Sequence, residues 1–248
     1  MNCYVIGDIH GYANLLSQLV DLITPKIQKQ DTIVFLGDYI DRGPDSRGVV
    51  DIILQLRKHH NVICLKGNHE QWMLQALEKS KNSWVTGMDG FSMMESYSRD
   101  FADNFRQAFR NLGVKIFTQP QVNEEHYRYF FHEIMPSEHL DFFMSLQNYY
   151  ENKYCICVHA GLNAELPLEE QQEQDLLWSL PANFLQTWQG KKTLVMGHQG
   201  THSVDESMWG KPIVTPKVVL LDTSCYETGV LSAIRFPDRK IFQAQQPV

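Results

Sequence analysis

Five times along this chain a run of four or five apolar residues stops at, or one residue before, a short polar block built around glycine. The runs are Cys3-Tyr4-Val5-Ile6, Thr32-Ile33-Val34-Phe35-Leu36, Val62-Ile63-Cys64-Leu65, Tyr154-Cys155-Ile156-Cys157-Val158 and Thr193-Leu194-Val195-Met196. Short β-branched and aliphatic runs ended by glycine read as buried strands. The blocks after them are Gly7-Asp8-Ile9-His10-Gly11, Gly37-Asp38-Tyr39-Ile40-Asp41-Arg42-Gly43, Gly67-Asn68-His69-Glu70, His159-Ala160-Gly161 and Gly197-His198-Gln199. A single Gly-Asp or Gly-Asn pair is usually a turn. Recurrence after successive strands makes the set a metal-site inventory instead.

The first half alternates strand and helix. Leu15, Leu19, Leu22 and Ile23 recur with helical spacing, as do Val49, Ile52, Ile53 and Leu56, with Asp45 or Ser46 as N-cap. A β-α-β-α-β start implies parallel strands and right-handed crossovers, which aligns the strand carboxyl ends along one edge. That places Asp8, Asp38 and Asn68 together. Residues 1–248 read as one α/β domain with a mostly helical insertion at about 70–150. Within it Ser137 caps a helix with Leu140, Phe143 and Met144 inward, and Met88, Phe91, Met93 and Met94 form a loosely packed cluster. Late strands at 154–158, 193–196, 217–222 and 230–236 suggest a second sheet packed on the first. Glu165–Gln174 reads as a solvated loop, and Gln243–Val248 as a frayed end.

A net charge of −7 argues against nucleic acid and anionic membrane as partners. No apolar stretch approaches the roughly 20 residues of a membrane span, and the chain enters a strand almost at once. The expectation is a cytoplasmic protein whose five cysteines are reduced, buried thiols.

The block residues carry the chemistry. Asp8 and His10, two apart on an extended segment, point the same way and can share an ion. Asp38 offers two oxygens to bridge a pair of ions; Asn68, His159 and His198 supply an amide oxygen and two imidazoles. A mixed N/O set without thiolate suits manganese, iron, zinc or similar first-row ions better than a Cu(I) or Fe–S site; manganese is the expected metal, with iron or zinc as alternatives. His69, next to Asn68, can protonate a leaving oxygen, with Asp41 fixing its tautomer. Arg42 presents a fork for phosphate oxygens. Other features read as structure: Glu70 begins or caps a helix, His59 and His60 end one, His126, His132 and His139 lie on the surface, and His202 sits in a loop. Gly190-Lys191-Lys192-Thr193 runs into a strand, so it is no P-loop.

These five blocks together resemble the phosphoprotein phosphatase family of dinuclear metallophosphoesterases, and most of all its short bacterial serine/threonine phosphatases. The likeness spans residues 7–198. It implies a calcineurin-like metallophosphoesterase fold, a two-sheet β-sandwich flanked by helices. It implies two divalent ions, one held by Asp8, His10 and Asp38, the other by Asp38, Asn68, His159 and His198. His69 with Asp41 would be the acid pair and Arg42 a phosphate clamp. The implied reaction is hydrolysis of phosphoserine or phosphothreonine in a phosphoprotein or phosphopeptide, by a hydroxide bridging the ions. Related hydrolases cleave dinucleoside polyphosphates, which is the alternative substrate; a weakly active phospho-recognition module is a third reading. One departure stands out. Leu180 follows Trp178 where many members carry a second phosphate-binding arginine, with Lys191, Lys192 or Arg47 as candidate substitutes.

Overall fold

The computed structural model describes residues 1–113, 115, 119 and 123–246. Two five-stranded sheets pack face to face. The first has the order β10-β9-β1-β2-β3, from Lys240–Gln245, Val230–Phe236, Cys3–Ile6, Thr32–Phe35 and Asn61–Cys64. The second has the order β4-β5-β6-β8-β7, from Tyr149–Glu151, Cys155–Val158, Thr193–Met196, Val218–Leu220 and Ile213–Val214. β1, β2 and β3 are parallel, as are β5, β6 and β8.

The two-residue period of a strand sorts the side chains. Cys3 and Val5 of β1, Val34 of β2 and Cys155 and Cys157 of β5 face the space between the sheets, joined by Val195, Val219 and Ile234. Their neighbours Tyr4, Ile6, Ile33 and Phe35 face the opposite way, onto helices α1 (Ala13–Ile23) and α2 (Ser46–Arg57). Each such aliphatic side chain contributes about 1.5–3 kcal/mol by leaving water. A charge at Val5 would therefore sit unpaired between two sheets. Asp45 is the N-cap of α2, accepting from the Gly48 N–H at 2.8 Å.

Between β3 and β4 the chain forms α3 (Asn68–Lys79), α4 (Ser83–Gly87), α5 (Gly90–Tyr97) and α6 (Arg99–Leu112), then helices at Glu124–Tyr129 and Ser137–Met144. Among the described residues no helix is long and apolar enough to cross a membrane.

Several expectations need correction. The late strands do not all join the second sheet: β9 pairs antiparallel with β1 in the first, and β10 pairs with β9. The first half of the segment expected to fray, Gln243–Gln245, is thus part of the outer strand of a sheet, and residues 247–248 lie outside the described residues. The helix Ser137–Met144 buries His139, Phe142 and Phe143 and exposes Met144; Pro136, not Ser137, stands at its cap. His139 is no surface residue, since its Nδ1 lies 2.8 Å from the Tyr97 hydroxyl and its Nε2 3.1 Å from Asp51. Met88, Met93 and Met94 belong to the main core, so that cluster is packed rather than loose.

Candidate metal centre

The carboxyl ends of both parallel strand sets meet at one edge. The first two blocks are tied there by Ile9 and His10 N–H groups donating to the Asp38 carbonyl at 3.0 and 2.9 Å. Backbones come so close that glycine is demanded: a Cβ on Gly67 would stand 2.1 Å from Asp38 Oδ1, and one on Gly197 2.0 Å from Asp8 Oδ1. His10, Asp38, Asp41, Arg42 and His198 all have positive φ, between 46° and 68°. That left-handed region is costly for non-glycine residues and collects at functional sites. His10 is therefore turned rather than extended, correcting the geometry expected for the Asp8–His10 pair.

Two groups of ligand atoms share Asp38. Those of His10, Asp38 and His69 lie within 4.8 Å of one another, as do those of Asp38, His159 and His198. Asn68 completes the second group, its Oδ1 lying 2.8 Å from His159 Nε2 and 3.0 Å from His198 Nδ1. Asp8 stands outside both triplets but borders them, accepting from the His198 N–H at 2.8 Å through Oδ2. His69, expected only as an acid, lies within reach of the first group.

The donor chemistry suits cations. His10 Nδ1 is 3.0 Å from the Ile40 carbonyl and His159 Nδ1 is 3.0 Å from the Leu36 carbonyl. Each ring thus spends its N–H on backbone and turns the Nε2 lone pair inward, the usual arrangement of ligating histidine. The His159 lone pair then faces the Asn68 oxygen, two acceptors at a hydrogen-bond distance that a cation between them would reconcile. Asp8 Oδ1 is buried with no hydrogen-bond partner. Burial, reinforced by neighbouring cations, lowers the pKa of His10; burial also lowers that of His159, and burial with His159 lowers that of His198 to about 3. All three are neutral near pH 7 and free to ligate. Burial opposes ionisation of Asp38, but four surrounding histidines outweigh it and hold the pKa below the usual carboxylate range.

Glu70 secures Asp38, the residue common to both groups. Its Oε2 accepts from the Asp38 and Gly67 N–H groups and its Oε1 from Tyr39 N–H, all at 2.9 Å. It lies in the first turn of α3 and caps that helix through the Gly67 N–H, and does more by clamping the second block to the third.

A model of the calcineurin-like phosphoesterases matches residues 1–223. The chain belongs to that family. Among curated relatives, the symmetrical bis(5'-nucleosyl)-tetraphosphatase of Wigglesworthia glossinidia brevipalpis is 41% identical over 33% of this chain and 29% of its own length. Serine/threonine-protein phosphatase 2 of Escherichia coli is 34% identical over 49% of this chain and 51% of its own. The asymmetrical bis(5'-nucleosyl)-tetraphosphatase PrpE of Oceanobacillus iheyensis is 23% identical over 97% and 90%. The match thus spans about half or less of the first two relatives. A crystal structure carrying a provisional diadenosine-tetraphosphatase assignment superposes with a TM-score of 0.63 at 21% identity, covering 99% of this chain and 94% of that one, and supports the fold.

Arg42 reaches the rim of the centre, with Nη1 3.1 Å from His10 Nε2. None of the three candidate substitutes for a second arginine joins it. Lys191 and Lys192 precede β6, at the end of the strand opposite the site, where Lys192 pairs with Glu151 at 2.9 Å. Arg47 lies over the Tyr97 ring in α5. Leu180 itself is 58% exposed. Sequence reasoning missed Asp222, buried after β8, whose pKa burial raises to about 6. The run Val218–Leu221 ending in Asp222-Thr223-Ser224 was a sixth strand-end polar block, hidden because it lacks glycine.

Proposed function

We propose that this protein is a metal-dependent phosphoesterase hydrolase that cleaves the phosphoanhydride chain of dinucleoside polyphosphates. Similarity over nearly the whole chain to an asymmetrical bis(5'-nucleosyl)-tetraphosphatase carries the substrate assignment. In this reading Asp8, His10 and Asp38 hold one divalent ion and Asp38, Asn68, His159 and His198 the other. Bound there, the ions supply Lewis-acid charge to the phosphoryl oxygens and acidify water. The residues do the rest. Arg42 grips non-bridging oxygens, and His69, oriented by Asp41, protonates the departing oxygen through Nε2.

Phosphoserine or phosphothreonine hydrolysis is the second reading, favoured by the Asp41-Arg42-Gly43-Pro44 stretch and the similarity to serine/threonine-protein phosphatase 2. The two differ in leaving group. A departing nucleotide is stable as an anion, whereas a serine alkoxide needs its proton in the transition state. Turnover on diadenosine tetraphosphate and on a phosphoserine peptide, at matched concentration with manganese, separates them. A kcat/KM at least about tenfold higher on the dinucleotide is expected, equivalent to about 1.4 kcal/mol in the barrier. The reverse ranking would favour the protein phosphatase.

A further inference from the structure

The guanidinium carbon of Arg42 lies 4.3 Å from the centre of the Tyr226 ring. The same ring stands edge-on to His10, with centroids 5.4 Å apart and planes at 89°. Tyr226 is delivered by the short helix Cys225–Thr228, directly after the Asp222-Thr223-Ser224 block. That segment is anchored to the floor of the centre. Cys225 Sγ donates to the Ile9 carbonyl at 3.1 Å, Ser224 N–H donates to Asp222 Oδ1 at 2.7 Å, and Tyr12 Oη donates to the Tyr226 carbonyl at 3.4 Å.

Among the described residues Arg42 forms no direct ion pair; its charge reaches Asp8 and Asp222 only through space, and its one side-chain hydrogen bond is to His10. Its ring partner is the Tyr226 face, while its contact to His10 Nε2 is one that a metal on that nitrogen would displace. This matters for an anion site. A carboxylate partner would consume N–H donors and offset the charge, whereas stacking uses the face of the guanidinium and leaves its edge donors directed outward. With Leu180 in the place of a second arginine, the orientation of this one fork counts for more.

We propose that Tyr226 is a positioning residue that holds Arg42 in its phosphate-gripping pose. The proposal rests on the reading of Arg42 as a phosphate ligand. It assigns Tyr226 an effect on phosphate affinity, acting through Arg42, and no part in proton transfer.

A double-mutant cycle tests it in manganese-loaded protein, with inorganic phosphate titrated by calorimetry and p-nitrophenyl phosphate hydrolysis as second readout. Tyr226→Leu keeps bulk but removes the π face, and Tyr226→Phe keeps the face and loses only the hydroxyl. Tyr226→Leu is expected to weaken phosphate binding about three- to tenfold and raise KM in parallel, with kcat within about threefold. Tyr226→Phe should restore phosphate affinity to within about twofold of the parent. In an Arg42→Ala background Tyr226→Leu should add less than about twofold, because coupled residues are not additive. An undiminished Tyr226→Leu effect in that background, or unchanged phosphate affinity in Tyr226→Leu itself, would overturn the proposal. If Arg42→Ala alone leaves phosphate binding unchanged, the phosphate-ligand reading falls first and this one with it. A weakened Arg42→Ala beside an unaffected Tyr226→Leu removes only the role of Tyr226.

Discussion

His69 Nδ1 lies 2.7 Å from Asp41 Oδ2, and the same carboxylate accepts the Trp84 indole N–H at 3.0 and 3.1 Å. Both members of the pair are buried. Asp41 therefore fixes the ring with Nδ1 protonated, and Trp84 fixes Asp41. The other ring nitrogen, Nε2, is buried without a hydrogen-bond partner and faces the shared Asp38 at 4.0 Å. In the proposed reaction this nitrogen is the one that would deliver a proton to the departing oxygen.

Replacing His69 with asparagine should lower kcat about 10²- to 10⁴-fold on a phosphoserine peptide or another substrate with a poor leaving group. Metal content by plasma mass spectrometry should stay at the parent value. A smaller loss on diadenosine tetraphosphate than on the peptide is expected, since the nucleotide leaves more readily. Full activity on the peptide would remove His69 from the acid role.

Burial pulls the His69 pKa down, but Asp38 and the hydrogen-bonded Asp41 outweigh it, so the net shift is upward. An acid must be protonated to act, so activity should fall as pH rises through this raised value. Asp41→Asn removes one of the groups that raise it. The alkaline limb of the kcat profile should then move to lower pH; a limb that stays put would mean that another group sets it.

Glu70→Gln is nearly isosteric yet should be destabilising. Three backbone N–H groups converge on the carboxylate, and an amide can offer its oxygen to only one side while its NH₂ opposes a donor. A loss of about 1–3 kcal/mol in urea unfolding is expected, with weaker manganese binding because Asp38 is no longer clamped. Parent stability in this variant would mean that the clamp is dispensable.

Of these features the sequence made some plain and hid others. Asp8, Asp38, Asn68, His159 and His198 were legible because each follows an apolar run, so strand pairing alone dictates where they meet. His139 was not. The spacing places Leu140, Phe143 and Met144 inward, but the buried stripe is His139, Phe142 and Phe143, one position earlier, set by packing against Tyr97 and Asp51. β10 was hidden by its polar composition, which an outer strand tolerates. The return of β9 to β1 depends on residues more than 220 apart in sequence, such as Cys3 and Phe236, and no local pattern reports it.

His139 gives a stability test. Burial lowers its pKa below the ordinary value of about 6.5, the direction shared by His10, His159 and His198. The unfolded chain therefore binds more protons, and stability present above about pH 6.5 is lost as pH falls towards the depressed folded values. His139→Leu should be less stable at pH 8 by about 1–3 kcal/mol, since the Tyr97 hydroxyl loses its partner. It should also lose less on acidification than the parent. Urea midpoints across this range give both quantities; identical slopes would exclude His139 from the acid response.

Leu180→Arg should be tolerated, because the side chain is exposed, and surface changes usually stay within about 0.5 kcal/mol. Trp178, two residues earlier, has its ring 6.3 Å from that of His198, so a guanidinium at 180 has a route to the site. Phosphate should bind about three- to tenfold more tightly by calorimetry, as a charge-assisted contact allows. Unchanged affinity would show that position 180 does not look onto the phosphate.

The most direct measurement is anomalous diffraction from crystals of the manganese-loaded protein. Two peaks about 3.5–4 Å apart, flanking the Asp38 carboxylate, with Asp8 and His10 at one and Asn68, His159 and His198 at the other, are the expected result. A single peak, or ions bound away from Asp38, would contradict it.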